Sequence, residues 1–338
     1  MKEKNSNLIV GGENLSLYIL KAICALFVVL LHIPSISFEG AVLQPILRIA
    51  VPCFLMISGY YIVSDRKIRE EKVKRQCRKI VQLLIVGNLA FAGFVIVNNI
   101  ILNQPIFPIG WQTPKFWINL ILFGDVICYP FWYLTSYFQA LLLIWCCIHY
   151  RCLRMMYVLV PFFLIGGILL NRYSFVFTDI ILDVRWSRNT LFCAIPCVLL
   201  GSMVRLKNIR IERIKTVVFL LVAASYVELA TLHYFNIDGS GSDFNLSTYP
   251  LAFSVFLYCV QYPNAGIISE KLRGLLINIG KYSAVDIYMY HVLVFSLLKL
   301  LVTKYETSAV LLNAEVVFML CLLFSYAFKY KKMIWSRK

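Results

Sequence analysis

Among the ionisable side chains in the apolar stretches of this 338-residue chain, Lys21, His32, Glu228, Asp286, His291 and Glu315 are the ones that read as lying at membrane depth. Ionisable groups at membrane depth are costly and usually face a bundle interior or a wet cavity. Lys21 and His32 are eleven residues apart. Eleven steps of 100° return to within about 20° of the same helix face, roughly 16 Å further along the axis. A neutral imidazole, with an ordinary pKa near 6.5, can take a proton from a hydroxyl, and a cation on the same stripe can hold an anionic group below it. The plainer reading is that Lys21 snorkels to one headgroup layer and His32 to the other.

Arg75 and Arg78 stand three apart, on one helix face, where two guanidinium forks can meet phosphates. They are also two of eight cations between Arg66 and Lys79, and as such orient a membrane loop. Trp132, Tyr133, Arg185, Trp186 and Arg188 fall near helix ends, where rings can stack on a sugar and guanidinium groups can hold hydroxyls or phosphate; an interfacial aromatic belt is the alternative. His291 reads as a packed, hydrogen-bonded histidine supporting the site, and Glu228 and Glu315 as candidate partners for His32 or His291. Asp286 completes the set of acceptor-side or supporting candidates. There is no HExxH motif for zinc, and Gly274 to Lys281 misses a phosphate loop by one residue, so metal and nucleotide-hydrolysis chemistry find no motif here. The eleven cysteines form no CxxC pair and read as small hydrophobes.

The elements that must position these residues are set by composition. Apolar residues make up 60% of the chain, charged ones 15%, and the mean hydropathy is +0.76, outside the range of soluble domains. Apolar stretches cover residues 15–34, 42–63, 79–102, 130–149, 155–170, 189–204, 216–235, 248–262, 283–302 and 308–328. Most approach the ~20 residues a helix needs to cross the hydrocarbon layer. The expected fold is therefore an all-α bundle of about ten transmembrane helices forming one domain over residues 1–338. The first stretch lacks a small-x-small cleavage site and is expected to remain as a helix. The run from Phe116 to Val126, short and flanked by Pro114 and Pro130, reads as interfacial or re-entrant.

On this ten-helix arrangement, with both ends cytoplasmic, 25 of the 33 Lys and Arg residues fall on the cytoplasmic side. Cytoplasmic loops are enriched in these residues, so the formal net charge of +16 is an orientation signal that also favours anionic lipid headgroups and needs no nucleic-acid partner.

Helix 1, from Leu20-Lys21-Ala22-Ile23 to Val28-Val29-Leu30-Leu31-His32, followed by Arg48 to Tyr60, resembles the acyltransferase 3 family of membrane proteins. Phe131 to Leu134, Arg188 to Gly201, Ile279 to Ser283 and Ile287 to His291 are similar to later blocks of that family, in the same order. The family's basic-x10-His and Arg-x-x-Arg motifs match Lys21 with His32 and Arg75 with Arg78, although Lys21 stands where Arg is common and Asp286 where the residue is usually small or apolar. The resemblance implies transfer of an acyl group, commonly acetyl from acetyl-CoA, to a hydroxyl of a surface or exported glycan at the plasma (inner) membrane, with no permanently bound cofactor. It makes His32 the essential base and puts Arg75 and Arg78, with Lys21, on the acyl-CoA side. A transporter or flippase of a lipid-linked glycan is the alternative from another class, although no internal repeat supports it. A sensing bundle coupled to a fused soluble domain is a third, disfavoured because the chain closes ten residues after its last apolar stretch.

Overall fold

Asn14 starts the first helix, α1 (Leu15–His32): its Oδ1 accepts from the Leu17 N–H at 3.1 Å while its Nδ2 donates to the Cys259 carbonyl at 3.1 Å. One side chain thus caps α1 and ties it to a helix 245 positions away. The helix stops at Ile33, which is extended, just before Pro34, and the Pro34 carbonyl accepts from the Ala314 N–H at 2.8 Å. The structure, a computed structural model, describes residues 13–37, 40–105, 110–178, 180, 182–237, 244–264, 269–305 and 311–335. Lys2, Lys4, Arg337 and Lys338, read above as cytoplasmic, lie outside these residues.

The second apolar stretch is not one helix. It divides into α2 (Gly40–Leu47) and α3 (Ala50–Ile62) because the Pro52 ring excludes a helical carbonyl four residues earlier, at Arg48. A short hairpin, β1 (Val63–Ser64) and β2 (Lys67–Ile68), follows, with Asp65 and Arg66 both at positive φ, the twist that a two-residue hairpin turn requires. It leads into α4 (Glu70–Ile101), whose 32 residues make it about 48 Å long. The stretch expected over 79–102 therefore begins nine residues sooner; its first turns are helical but polar, so they carry no membrane signature.

α5 (Pro114–Leu122) spans nine residues, about 14 Å, and is too short to cross a bilayer. A 3₁₀ turn, Tyr129–Phe131, opens α6 (Trp132–His149); α7 (Leu153–Leu169) and the single-turn α8 (Phe175–Thr178) come next. A π turn, Thr190–Ala194, capped by Asn189 Oδ1, leads into α9 (Ile195–Lys207), then α10 (Ile214–Tyr234) and α11 (Thr248–Gln261). α12 (Glu270–Asn278) and α13 (Ala284–Tyr305) run together through a second π turn, Ile279–Ser283, so the helix expected over 283–302 also starts earlier. α14 (Ala314–Trp335) closes the bundle. Seven helical stretches among the described residues are long and apolar enough to cross a membrane.

Packing is close where α3 crosses α9. A Cβ at Gly59 would lie 1.9 Å from the Val198 carbonyl oxygen, and one at Gly201 would lie 1.9 Å from that of Met56, so two backbones touch where only glycine fits. α1 seats against α3 and against the second π turn. By contrast, Ile85, Leu89 and Val97 of α4 and Phe219, Leu220 and Val227 of α10 are exposed. Apolar residues turned outward on helices of spanning length are matched by hydrocarbon, and the fold is a multi-pass membrane helix bundle.

Candidate active site

The last turn of α1 carries His32, which is exposed to two adjoining cavities rather than packed in the core. The larger, of about 520 Å³, lies between the ends of α1, α4 and α13. The smaller, of about 180 Å³, is walled by Arg48, Tyr129, Trp132, Arg188 and Tyr288. Tyr129 stands edge-on to the imidazole with ring centroids 6.0 Å apart. Arg188 lies over Tyr129 at 4.8 Å and Trp132 at 5.6 Å, stacking that suits a guanidinium held among aromatic faces. Burial, with the Arg48 charge nearby, pulls the Arg188 guanidinium down to about 9, which leaves it cationic at neutral pH.

His291 is fully buried, its ring centroid 5.4 Å from that of His32. Its Nδ1 is 2.9 Å from the Tyr288 carbonyl oxygen and 3.2 Å from that of Ile287. Carbonyls only accept, so Nδ1 carries the proton and Nε2 keeps its lone pair. Nε2 is buried and has no hydrogen-bond partner among the described residues. A fixed acceptor thus stands beside His32.

Lys21 lies in a third cavity, of about 130 Å³, with Ser58, Tyr61, Gln76, Lys79, Tyr133 and Tyr137. Its ammonium sits over the Tyr18 ring at 5.7 Å and the Tyr61 ring at 5.6 Å, and the buried Tyr61 hydroxyl has no partner among the described residues. Tyr288 belongs to the walls of both this cavity and the Arg188 cavity. Its hydroxyl donates to the Pro130 carbonyl and its ring meets Tyr133 edge-on at 5.0 Å, so one side chain separates the two chambers.

The remaining candidates divide. Arg75 and Arg78 are exposed on α4; one position further along the chain in each case, Gln76 and Lys79 line the Lys21 cavity, about 100° around the helix. Trp132 and Tyr133 are both buried, Trp132 beside His32 and Tyr133 on the Lys21 side, so neither is part of an interfacial belt. Arg185 points elsewhere, pairing with Asp125 at 2.8 Å in a separate cleft with Trp186; that carboxylate pushes the guanidinium up from its usual value.

Glu228 and Glu315 partner neither imidazole. Glu228 accepts from the Leu246 N–H at 2.6 Å, the Ser247 N–H at 2.9 Å and the Tyr173 hydroxyl, satisfying the open donors before α11. Glu315 accepts from Ser35 Oγ at 2.5 Å and from the Ser37 and Ile36 N–H groups at 3.1 and 3.3 Å, holding the chain that follows His32. Backbone donors at chain turns took the carboxylates that spacing had offered to the histidines. Asp286 accepts from Ser325 Oγ at 2.5 Å, between α13 and α14.

Sequence reading passed over Arg48, Tyr129, Tyr288, Gln76 and Lys79 as site residues. Arg48 falls at the α2–α3 break and Tyr129 in a non-periodic turn, so neither carries a helical-face signal; Gln76 and Lys79 were masked by the more suggestive arginine pair.

Over 242 residues the chain is 26% identical to a serine/alanine racemase of Enterococcus gallinarum, covering 64% of this chain and 33% of that protein, so it spans about a third of that relative's length. No solved structure matches it. The sequence model of an acyltransferase domain matches residues 14–330, nearly the whole bundle and all of the cavities just described. The chain belongs to the acyltransferase 3 family and is a membrane protein carrying that family's acyltransferase domain.

Proposed function

We propose that this protein is an O-acyltransferase of the plasma membrane that takes an acyl group, acetyl by family resemblance, from acyl-CoA on the cytoplasmic side and passes it to a hydroxyl of a cell-surface or exported glycan. The observation that carries this reading is His32 at the meeting of two cavities, with the Lys21 cavity directly behind the shared Tyr288 wall.

In the proposed step a His32 nitrogen takes the acceptor hydroxyl's proton as its oxygen attacks the thioester carbonyl carbon. The new C–O bond forms, the C–S bond breaks, and the CoA thiolate leaves with the proton returned by the imidazolium. His291 Nε2, unpaired in the structure beside the His32 ring, would be a positioning group: a hydrogen bond from one His32 nitrogen to it on substrate binding would leave the other free to act as base. Trp132 offers a ring face to a sugar, and Arg188 and Arg48 offer charge to an anionic group on it.

On the donor side, Lys21 and Lys79 would meet the arm and phosphates of acyl-CoA, with Arg75 and Arg78 further out on α4. Tyr61 supplies a hydroxyl still to be paired. Stacked chambers would also serve a carrier of lipid-linked glycan, but a carrier has no use for a thioester.

The test is transfer of label from radiolabelled acetyl-CoA into a bacterial glycan extract by protein in lipid nanodiscs. Wild type should transfer, and Arg75→Ala/Arg78→Ala should need more donor to do so. A wild type that neither binds nor consumes acetyl-CoA or a longer acyl-CoA would end the enzyme reading in favour of glycan transport.

A further inference from the structure

The larger of the two cavities at His32 is not needed by a sugar. α4 touches the bundle closely for the last time near Gly87, where a Cβ would lie 2.5 Å from Met289 Cε and 2.6 Å from Phe131 Cζ, and Phe91 is its last buried residue. Beyond that crossing α4 and α13 part. Phe94, Asn98 and Leu102 on one side and Val292, Phe295 and Lys299 on the other wall a cleft of about 520 Å³ that reaches His32. From Phe91 to the end of α4 is ten residues, about 15 Å, or half the hydrocarbon thickness. Val97 and Ile100 of α4 and Leu297 and Leu301 of α13, each one or two positions from a lining residue, are exposed apolar side chains, so the helices that wall the cleft face lipid beside it.

A hydrocarbon chain gains little by leaving lipid for such a cleft, since lipid tails are as apolar as leucine. What the cleft supplies is position: a tail lying in it holds its headgroup at His32. What selects the headgroup is charge. Lys299, which forms no ion pair among the described residues, lines the cleft, and Arg48 and Arg188 line the chamber on the other side of His32. An apolar limb and a cationic, aromatic limb meet at the proposed base.

From this geometry we infer that the acceptor is an amphiphile, a saccharide joined through phosphate to a long hydrocarbon chain, which enters sideways between α4 and α13. The inference rests on the acyltransferase reading for the word acceptor; the binding site itself does not.

The experiment uses a diazirine-bearing polyprenyl phosphate in phosphatidylcholine nanodiscs of the full chain, with crosslinks mapped by peptide mass spectrometry. Label should concentrate in residues 94–102 and 292–303, be displaced by a polyprenyl-phosphate-linked saccharide and not by the same saccharide free in water, and fall about tenfold in Lys299→Gln, the loss of one phosphate contact. Ser296→Trp, which fills the cleft without touching a charge, should abolish it. Label spread over all lipid-facing helices, or displaced equally well by phosphatidylglycerol, would overturn the inference by reducing the cleft to ordinary lipid contact. Equal transfer to free and lipid-linked saccharide would overturn it while leaving the acyltransferase reading intact. Specific label with no acyl transfer to any saccharide would keep the binding site and remove that reading.

Discussion

The Lys21 cavity is walled by residues of regular helices, whereas the Arg188 chamber at His32 takes much of its wall from helix ends, a break and loops. Phe54, Ser58, Gln76, Leu83 and Tyr137 all project from uninterrupted helical turns. Around His32 the walls are instead the last turn of α1, the break at Arg48, the turn at Tyr129 and the loop residues Arg188 and Phe244. Interior positions are fixed by the helix ladder and by close packing. Terminal ones depend on caps and on carboxylates such as Glu315. On the proposed reading, the Lys21 side would be a rigid mould suited to the donor, and the Arg188 side would be built from segments that can vary with the acceptor.

Both sides take wall residues from α3, which the α3–α9 contact holds, and wedging that contact should produce the largest effect. Gly59→Leu drives a side chain into the Val198 carbonyl and should destabilise the bundle by about 3 kcal/mol or more, lowering the thermal midpoint in detergent and abolishing donor binding. A variant that stays stable would mean the helices can part without loss, and the rigid side is not rigid.

Next in size is His291→Phe, which keeps the ring and removes the lone pair beside His32. We expect kcat to fall about 100-fold with the KM for acyl-CoA little changed, and His291→Gln, which restores an acceptor, to recover part of it. A loss shared equally between kcat and KM, or no recovery with Gln, would make His291 a packing residue only.

Smaller changes sharpen the contrast between the chambers. Lys79→Ala should raise the KM for acyl-CoA about tenfold while leaving that for the acceptor alone, as expected of a charged hydrogen bond to phosphate. Should Arg75→Ala/Arg78→Ala do the same and Lys79→Ala nothing, the donor phosphates lie outside the Lys21 cavity. The smallest effect is expected for Asp125→Asn: Arg185 is 41% exposed and can turn to water, so the stability cost should stay below about 1 kcal/mol and transfer should change little.

The sequence made the rigid side more legible than the variable one. The eleven-residue spacing of Lys21 and His32 puts them on one stripe, and the structure turns both to cavities that share Tyr288. Hydropathy found the spanning helices but not their polar extensions: Glu70 to Arg78 and Glu270 to Asn278 are helical outside the apolar stretches, where periodicity against lipid is lost. The partners of Glu228 and Glu315 could not be read, because they are backbone N–H groups freed by turns at Ser247 and Ser37 that no side-chain pattern announces. Tyr288 was visible only as part of a motif; its place as the wall between chambers comes from its hydrogen bond to the Pro130 carbonyl and its ring contact with Tyr133.

The central claim is that His32 performs the chemistry and does not merely shape the site. Single-turnover transfer from radiolabelled acetyl-CoA should be measured in nanodiscs for wild type and His32→Ala, with acetyl-CoA affinity measured on the same samples. The account predicts a fall of about 10²- to 10⁴-fold in the rate, the usual worth of a positioned base, with donor affinity within about twofold of wild type. Transfer retained at a comparable rate, or lost only in step with donor affinity, would contradict it.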